Sequence, residues 1–274
     1  MKSLKFLFTF SCILSLNFSF GQVKDFDGNN YGTTKIGDKT WLTQNLVVTH
    51  FRNGDEIKMA TSFDEWMSFN LKNQPAYMYY NFDPVNGLKY GVLYNFYAVN
   101  DKRGLAPKDF HVPSTIEWEK LFMTLGGESK AIPELLAISE WHYYVEKSNE
   151  EKKAILIKDE FNRLEDYKMV DCINSNSTRF SALPAPVTED ENWQEAMFLG
   201  ETLEPSPIDD VRKLAFKRDD DFYFFNHTSW WTSTMQTNKT AWSRSISGCS
   251  QEKARSSRNL LNNNYGLYVR CIKD

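Results

Sequence analysis

Cysteine and histidine are scarce in this chain, which holds four of each in 274 residues. Cys12, Cys172, Cys249 and Cys271 never form a Cys-x-x-Cys pair, which removes a dithiol redox motif and a zinc knuckle from consideration. His50, His111, His142 and His227 stand singly, and no H-E-x-x-H occurs. There is also no G-x-S-x-G elbow, no Gly-rich phosphate loop and no G-x-G-x-x-G after a strand, so common hydrolytic and nucleotide chemistries have no motif to rest on. Basic charge is short as well. Thirty-two Lys and Arg face 36 Asp and Glu, a net charge of −4, which argues against a nucleic-acid partner or an anionic membrane surface. Past residue 20 no apolar run is long enough to cross a bilayer as a helix.

The first 21 residues differ in kind from the rest. Lys2 and Lys5 precede an uncharged apolar run from Phe6 to Phe20, and Ser19-Phe20-Gly21 puts small residues at −3 and −1 of a cut before Gln22. That is the layout of a secretory signal peptide. A lipoprotein modified at Cys12 is the less favoured alternative, because Thr9-Phe10-Ser11 is a poor lipobox and the apolar run continues past it. The expectation is export to the cell envelope or the extracellular space, with residues 22–274 as the mature protein. Without Lys2 and Lys5 that portion has 30 basic and 36 acidic residues, a net charge of about −6. Its length suits one domain with one core.

Aromatic residues are plentiful, at 15% of the chain. Residues 31–42 read as a hairpin turning at Gly37-Asp38. Residues 76–98, dense in Tyr, Phe and Asn and broken by Asp83-Pro84-Val85-Asn86-Gly87, read as short strands and loops without a helix. Ser114 and Glu117 form an S-x-x-E capping box. Trp118, Leu121, Phe122 and Leu125 then follow at helical spacing, and Gly126-Gly127 ends the helix. The mixed charges of residues 130–170 around Ile155, Leu156, Phe161 and Leu164 predict an amphipathic helix, and residues 186–221 a long loop. Short aromatic strands return from 222 onward. Of Trp230 and Trp231, in one strand, one is expected to face the core and the other not, and Leu267, Val269 and Cys271 are expected to share one strand face with Tyr268 and Arg270 on the other. The fold class is α+β.

Candidate sites are few. An oxidising destination permits one disulfide among the mature cysteines. Cys249 and Cys271 are the favoured pair, with Cys172 competing for either, and their loop is worth about 3 kcal/mol in the chain-entropy account. No cofactor is expected; calcium is the less favoured alternative, for which the acids at 189–191, 209–210 and 219–221 could supply oxygen ligands, although loops are acidic for solubility too. Asp25 to Asn30 lacks the glycine and glutamate spacing of an EF-hand and reads as a polar turn. His111, just before the capped helix, reads as a brace bonded to backbone. Trp193 is isolated in a polar loop and is the leading candidate anchor for a ligand, with Trp242 and Arg255 beside it as binding residues. No catalytic residue is assigned.

Several segments, in order, resemble the family named after the major paralogous domain of Fibrobacter succinogenes. They are Tyr31-Gly-Thr-Thr-Lys-Ile-Gly-Asp-Lys-Thr-Trp41, Phe51-Arg-Asn-Gly-Asp-Glu-Ile57, Tyr90-Gly-Val-Leu-Tyr-Asn95, Gly104-Leu-Ala-Pro-Lys-Asp-Phe-His-Val-Pro113, Phe180-Ser-Ala-Leu-Pro184, Trp230-Trp-Thr-Ser-Thr234 and Tyr265-Gly-Leu-Tyr-Val-Arg-Cys271. The likeness covers most of 25–130 and 222–274, and implies an exported bacterial protein. Residues 145–175 and 187–222 look like insertions.

More distantly, His111-Val-Pro-Ser-Thr-Ile-Glu-Trp118 and Ala254-Arg255-Ser256 are similar to elements of formylglycine-generating enzymes. That likeness implies a C-type-lectin-like fold of short antiparallel strands, one or two helices and long loops. Those enzymes use two neighbouring cysteines, whereas only Cys249 lies at that place here. The expectation is a non-enzymatic binding module for an extracellular glycan or protein. The alternatives are a structural subunit of a surface appendage, or an enzyme of the formylglycine-generating type.

Overall fold

Local chemistry in the N-terminal third decides where the chain turns. In the computed structural model, which describes residues 23–138, 141–146, 167–171, 174–184, 227–247 and 255–274, strand β1 (Val23–Lys24) pairs antiparallel with β2 (Asn30–Tyr31). Asp25 makes the turn between them by accepting from the Asn29 amide at 2.9 Å and the Tyr31 hydroxyl at 2.6 Å. The expected hairpin follows as β3 (Thr33–Ile36) and β4 (Lys39–Leu42), with Gly37 at φ +62° in the turn. Strand β5 (Lys58–Met59) then leads to helix α1 (Phe63–Leu71), which buries Trp66 and Asn70.

Residues 76–98 correct the expectation of strands and loops alone. They contain β6 (Ala76–Met78), α2 (Pro84–Tyr90), β7 (Leu93–Tyr94) and the start of α3 (Phe96–Val99). The Asp-Pro signal is a helix start and not a breaker. The Asp83 carboxylate caps the Val85 amide and Pro84 occupies the first turn, where its missing N–H costs nothing.

Strand β8 (Phe110–His111) precedes α4 (Thr115–Thr124), the helix read from the capping box. Both reciprocal bonds form between Ser114 and Glu117, the predicted face buries Trp118, Leu121 and Phe122, and Gly126 and Gly127 follow at φ +85° and +94°. Helix α5 (Glu128–Leu135) comes next. The amphipathic helix expected across 130–170 is only partly supported. Beyond α5 the described residues form an antiparallel pair, β9 (His142–Glu146) and β10 (Tyr167–Asp171), while Ile155, Leu156, Phe161 and Leu164 lie outside them. The C-terminal portion is a meander, β11 (His227–Met235), β12 (Thr240–Ser247) and β13 (Arg255–Asn262), followed by β14 (Ile272–Lys273). The architecture is α+β, with small sheets ordered β3-β4-β14-β8, β5-β6-β7 and β11-β12-β13.

The aromatic excess goes largely into the core. Trp118 stacks on Trp230 at 5.2 Å, Trp41 lies 5.1 Å from Trp118, and Phe180 meets all three edge-on. Such pairs contribute about 0.5–1.5 kcal/mol each beyond their burial. The expectation that only one of Trp230 and Trp231 faces the core fails here. Trp230 and Trp231 are both fully buried, because α4 covers one face of β11 while Phe96 of α3 packs on the other at 5.2 Å. Likewise Leu267 through Ile272 are all buried, since this segment runs between layers and has no solvent face.

Candidate functional site

Of the three sequence-predicted ligand residues, only Trp242 and Arg255 lie among the described residues. Trp193 and the 187–222 segment lie outside the described residues, as do Cys172 and Cys249. Trp242 is half-buried on β12, with its indole N–H donated to Gln236 at 3.1 Å and Leu260 directly opposite. Arg255 pairs in register with Ser247, and strand alternation therefore puts it on the other face of the sheet from Trp242. Cys271 is a fully buried thiol with no disulfide among the described residues, and its expected partner Cys249 lies outside them. Burial pushes that thiol up from its ordinary value, the reverse of what activates a nucleophilic cysteine.

His111 is a brace, but its partners are not backbone. Its Nδ1 lies 2.6 Å from Asp274 and its Nε2 lies 2.9 Å from Glu117, so the ring ties the chain end to the start of α4. Burial raises the Glu117 carboxyl, yet bonds from the Ser114 amide, His111 and the Ser114 hydroxyl outweigh it and hold the group below its usual range. Among the described residues no three His, Cys, Asp or Glu side chains converge as a metal site.

A cleft of about 260 Å³ forms elsewhere, where β1, the 48–52 loop and the 105–108 loop meet. Its floor is apolar and buried: Val48, Leu105, Ala106 and Pro107. Its rim carries Lys24, Phe26, His50, Arg52 and Lys108. Among the described residues the Arg52 guanidinium is held by carbonyls alone, at 3.0 Å from Ala106, 3.3 Å from Pro107 and 3.0 Å from Phe110. It is therefore oriented without being neutralised. The nearby acids are spoken for. Asp55 and Asp101 both pair with Arg103, at 3.0 and 2.8 Å. Asp27 binds His50 at 2.6 Å and the Thr49 hydroxyl at 2.9 Å. Burial raises the Asp27 carboxyl, but those bonds together with the one from the Thr49 amide bring it below its usual range.

Phe26 is the unusual member of the rim. Its side chain is 56% exposed, yet it is seated. Gly54, at φ +92°, lies so close beneath the ring that an added Cβ would come within 2.8 Å of it, and His50 flanks it at 5.8 Å. The Phe51-Arg-Asn-Gly and Leu105-Ala-Pro-Lys segments, which carry the family resemblance in sequence, supply Arg52, Gly54 and Leu105 to Lys108 around the same cleft as Phe26.

These features define an α+β fold with a cation-rimmed surface cleft. The family model of the Fibrobacter succinogenes major domain matches residues 34–204, and the chain belongs to that family. The matched range includes the 145–175 segment and ends inside 187–222, where the sequence reading had placed its insertions. No curated protein and no solved structure matches the chain.

Proposed function

We propose that this chain is an exported, non-enzymatic binding module with a C-type-lectin-like fold, and that the cleft beside Phe26 holds its ligand, a glycan. One observation carries the reading. A large apolar ring stays exposed at a cleft mouth while glycine beneath and histidine beside it fix its position. An aromatic face held in that way offers a flat apolar platform to a sugar ring, with little entropy left to lose on binding. Short strands, long connections and a C-terminal strand paired beside the N-terminal hairpin suit a lectin-like scaffold, on which loops carry recognition. Export rests on the basic start, the apolar run and the small residues before Gln22. The secreted product is expected to have the mass of residues 22–274.

The test is a glycan and polysaccharide screen on residues 22–274, repeated with Phe26→Ala and Gly54→Ala. Truncating a ring that is mostly exposed leaves the melting temperature nearly unchanged, whereas loss of a binding anchor costs about 2 kcal/mol, roughly thirtyfold in Kd. Gly54→Ala adds strain of about 1–2 kcal/mol at a left-handed position and lifts the ring, so binding falls with it. Retained affinity in Phe26→Ala would remove the cleft from consideration.

A further inference from the structure

The binding-module reading leaves the class of glycan open, and the rim of the cleft narrows it. Lys24, Arg52 and Lys108 line the opening, and among the described residues none of the three ion-pairs with a carboxylate. The lining contains one acid, Asp25. Its carboxylate is buried and turned inward, bonded to Tyr31 and to the Asn29 side chain at 2.6 and 2.9 Å. The opening is thus locally cationic on a protein whose net charge is −4, so the general field of the molecule does not explain it. Arg52 keeps its position through the 106–110 carbonyls and needs no anion for support, so a bound anion would add to its contacts without displacing any. The volume of about 260 Å³ falls below the roughly 300 Å³ where pockets for larger organic ligands begin, which suits one sugar ring and not a peptide segment.

We propose that the cleft takes an acidic sugar, with its carboxylate or sulfate against the Lys24, Arg52 and Lys108 rim and its ring face on Phe26. This inference rests on the binding-module reading above. The probes are polygalacturonate for the carboxylate, dextran sulfate for the sulfate, fully methyl-esterified polygalacturonate as the uncharged counterpart, and a thymidine oligonucleotide as a polyanion without the sugar acid.

The expected result is that at least one acidic glycan binds, about tenfold or more tighter than the ester, and that raising salt weakens it. Because Arg52 also supports the 106–110 loop, the decisive variant is Lys24→Gln with Lys108→Gln, both exposed and unpaired. It should lose about tenfold in affinity with an unchanged melting curve. Equal binding of the ester, survival of binding in the double variant, or equally tight binding of the oligonucleotide would each overturn the proposal. If neither acidic glycan binds but a neutral glycan binds in a Phe26-dependent way, the acidic-sugar inference fails and the binding-module reading stands. If no glycan binds at all, both fall.

Discussion

Arg270 carries a charge into the core and meets no carboxylate there among the described residues. Burial pulls its guanidinium down to about 9, which still leaves it charged at neutral pH. Desolvating such a group costs several kcal/mol. What offsets the cost is a set of oxygens that accept from it: Asn45 Oδ1 at 2.9 Å, Phe180 O at 2.6 Å and Leu42 O at 3.3 Å, with the Phe180 ring 4.5 Å from the charge. Asn45 Oδ1 also accepts the Trp230 indole N–H at 2.8 Å. Arg270→Met would remove the charge but strand those carbonyls, each unsatisfied group costing about 1–3 kcal/mol. We expect a loss of about 3 kcal/mol or more in a urea titration monitored by tryptophan fluorescence. An unchanged midpoint would mean that the oxygens find other donors. The sequence reading paired Arg270 with Tyr268 on one strand face. Periodicity cannot reveal a segment packed on every side.

At the scale of elements, capping chemistry was the most legible signal. Ser114 and Glu117 marked α4 correctly, because the capping box satisfies backbone donors with residues close in sequence. The S-x-x-E sequence at 62–65 starts α1 in a related way: the Glu65 amide donates to Ser62 Oγ at 3.3 Å, while the Glu65 carboxylate accepts from the Thr61 amide at 2.8 Å instead of from that of Ser62. The cleft was not legible, because residues 24–26, 48–54 and 105–108 meet only through tertiary packing. Glu117 also sets the acid sensitivity of α4. Its folded pKa is lowered, so its contribution is fully present above the unfolded carboxylate value of about 4.3 and is lost as pH falls through the lower folded value. Glu117→Gln should therefore melt below the wild type at pH 6, by an amount that shrinks toward pH 3 in a melting series. A constant gap across that range would mean the carboxylate charge is irrelevant to the helix start.

For the molecule as a whole, the last dozen residues act as a stitch through the separate sheets. The Phe96 amide donates to Asn263 O at 2.9 Å, Tyr94 and Leu267 exchange bonds at 2.9 and 3.1 Å, and Trp231 N reaches Tyr268 O at 3.0 Å. Leu46 N then meets Val269 O and Leu42 N meets Cys271 O, both at 2.9 Å, before β14 inserts between β4 and β8. The three larger sheets are thereby joined by residues distant in sequence, a topology in which loop closure is costly and folding slow.

Leu267, Tyr268, Val269, Cys271 and Ile272 are all fully buried. Large apolar side chains are worth about 1.5–3 kcal/mol each on burial, so together they approach the roughly 5–15 kcal/mol that a domain has in total. A chain ending at Gly266 should consequently lose its near-ultraviolet circular dichroism and its protease resistance altogether, with no partly destabilised native state in between. Adding a peptide of residues 264–274 should restore both signals in a concentration-dependent way. A truncated protein that keeps a cooperative melt on its own would show that the sheets hold together without the stitch.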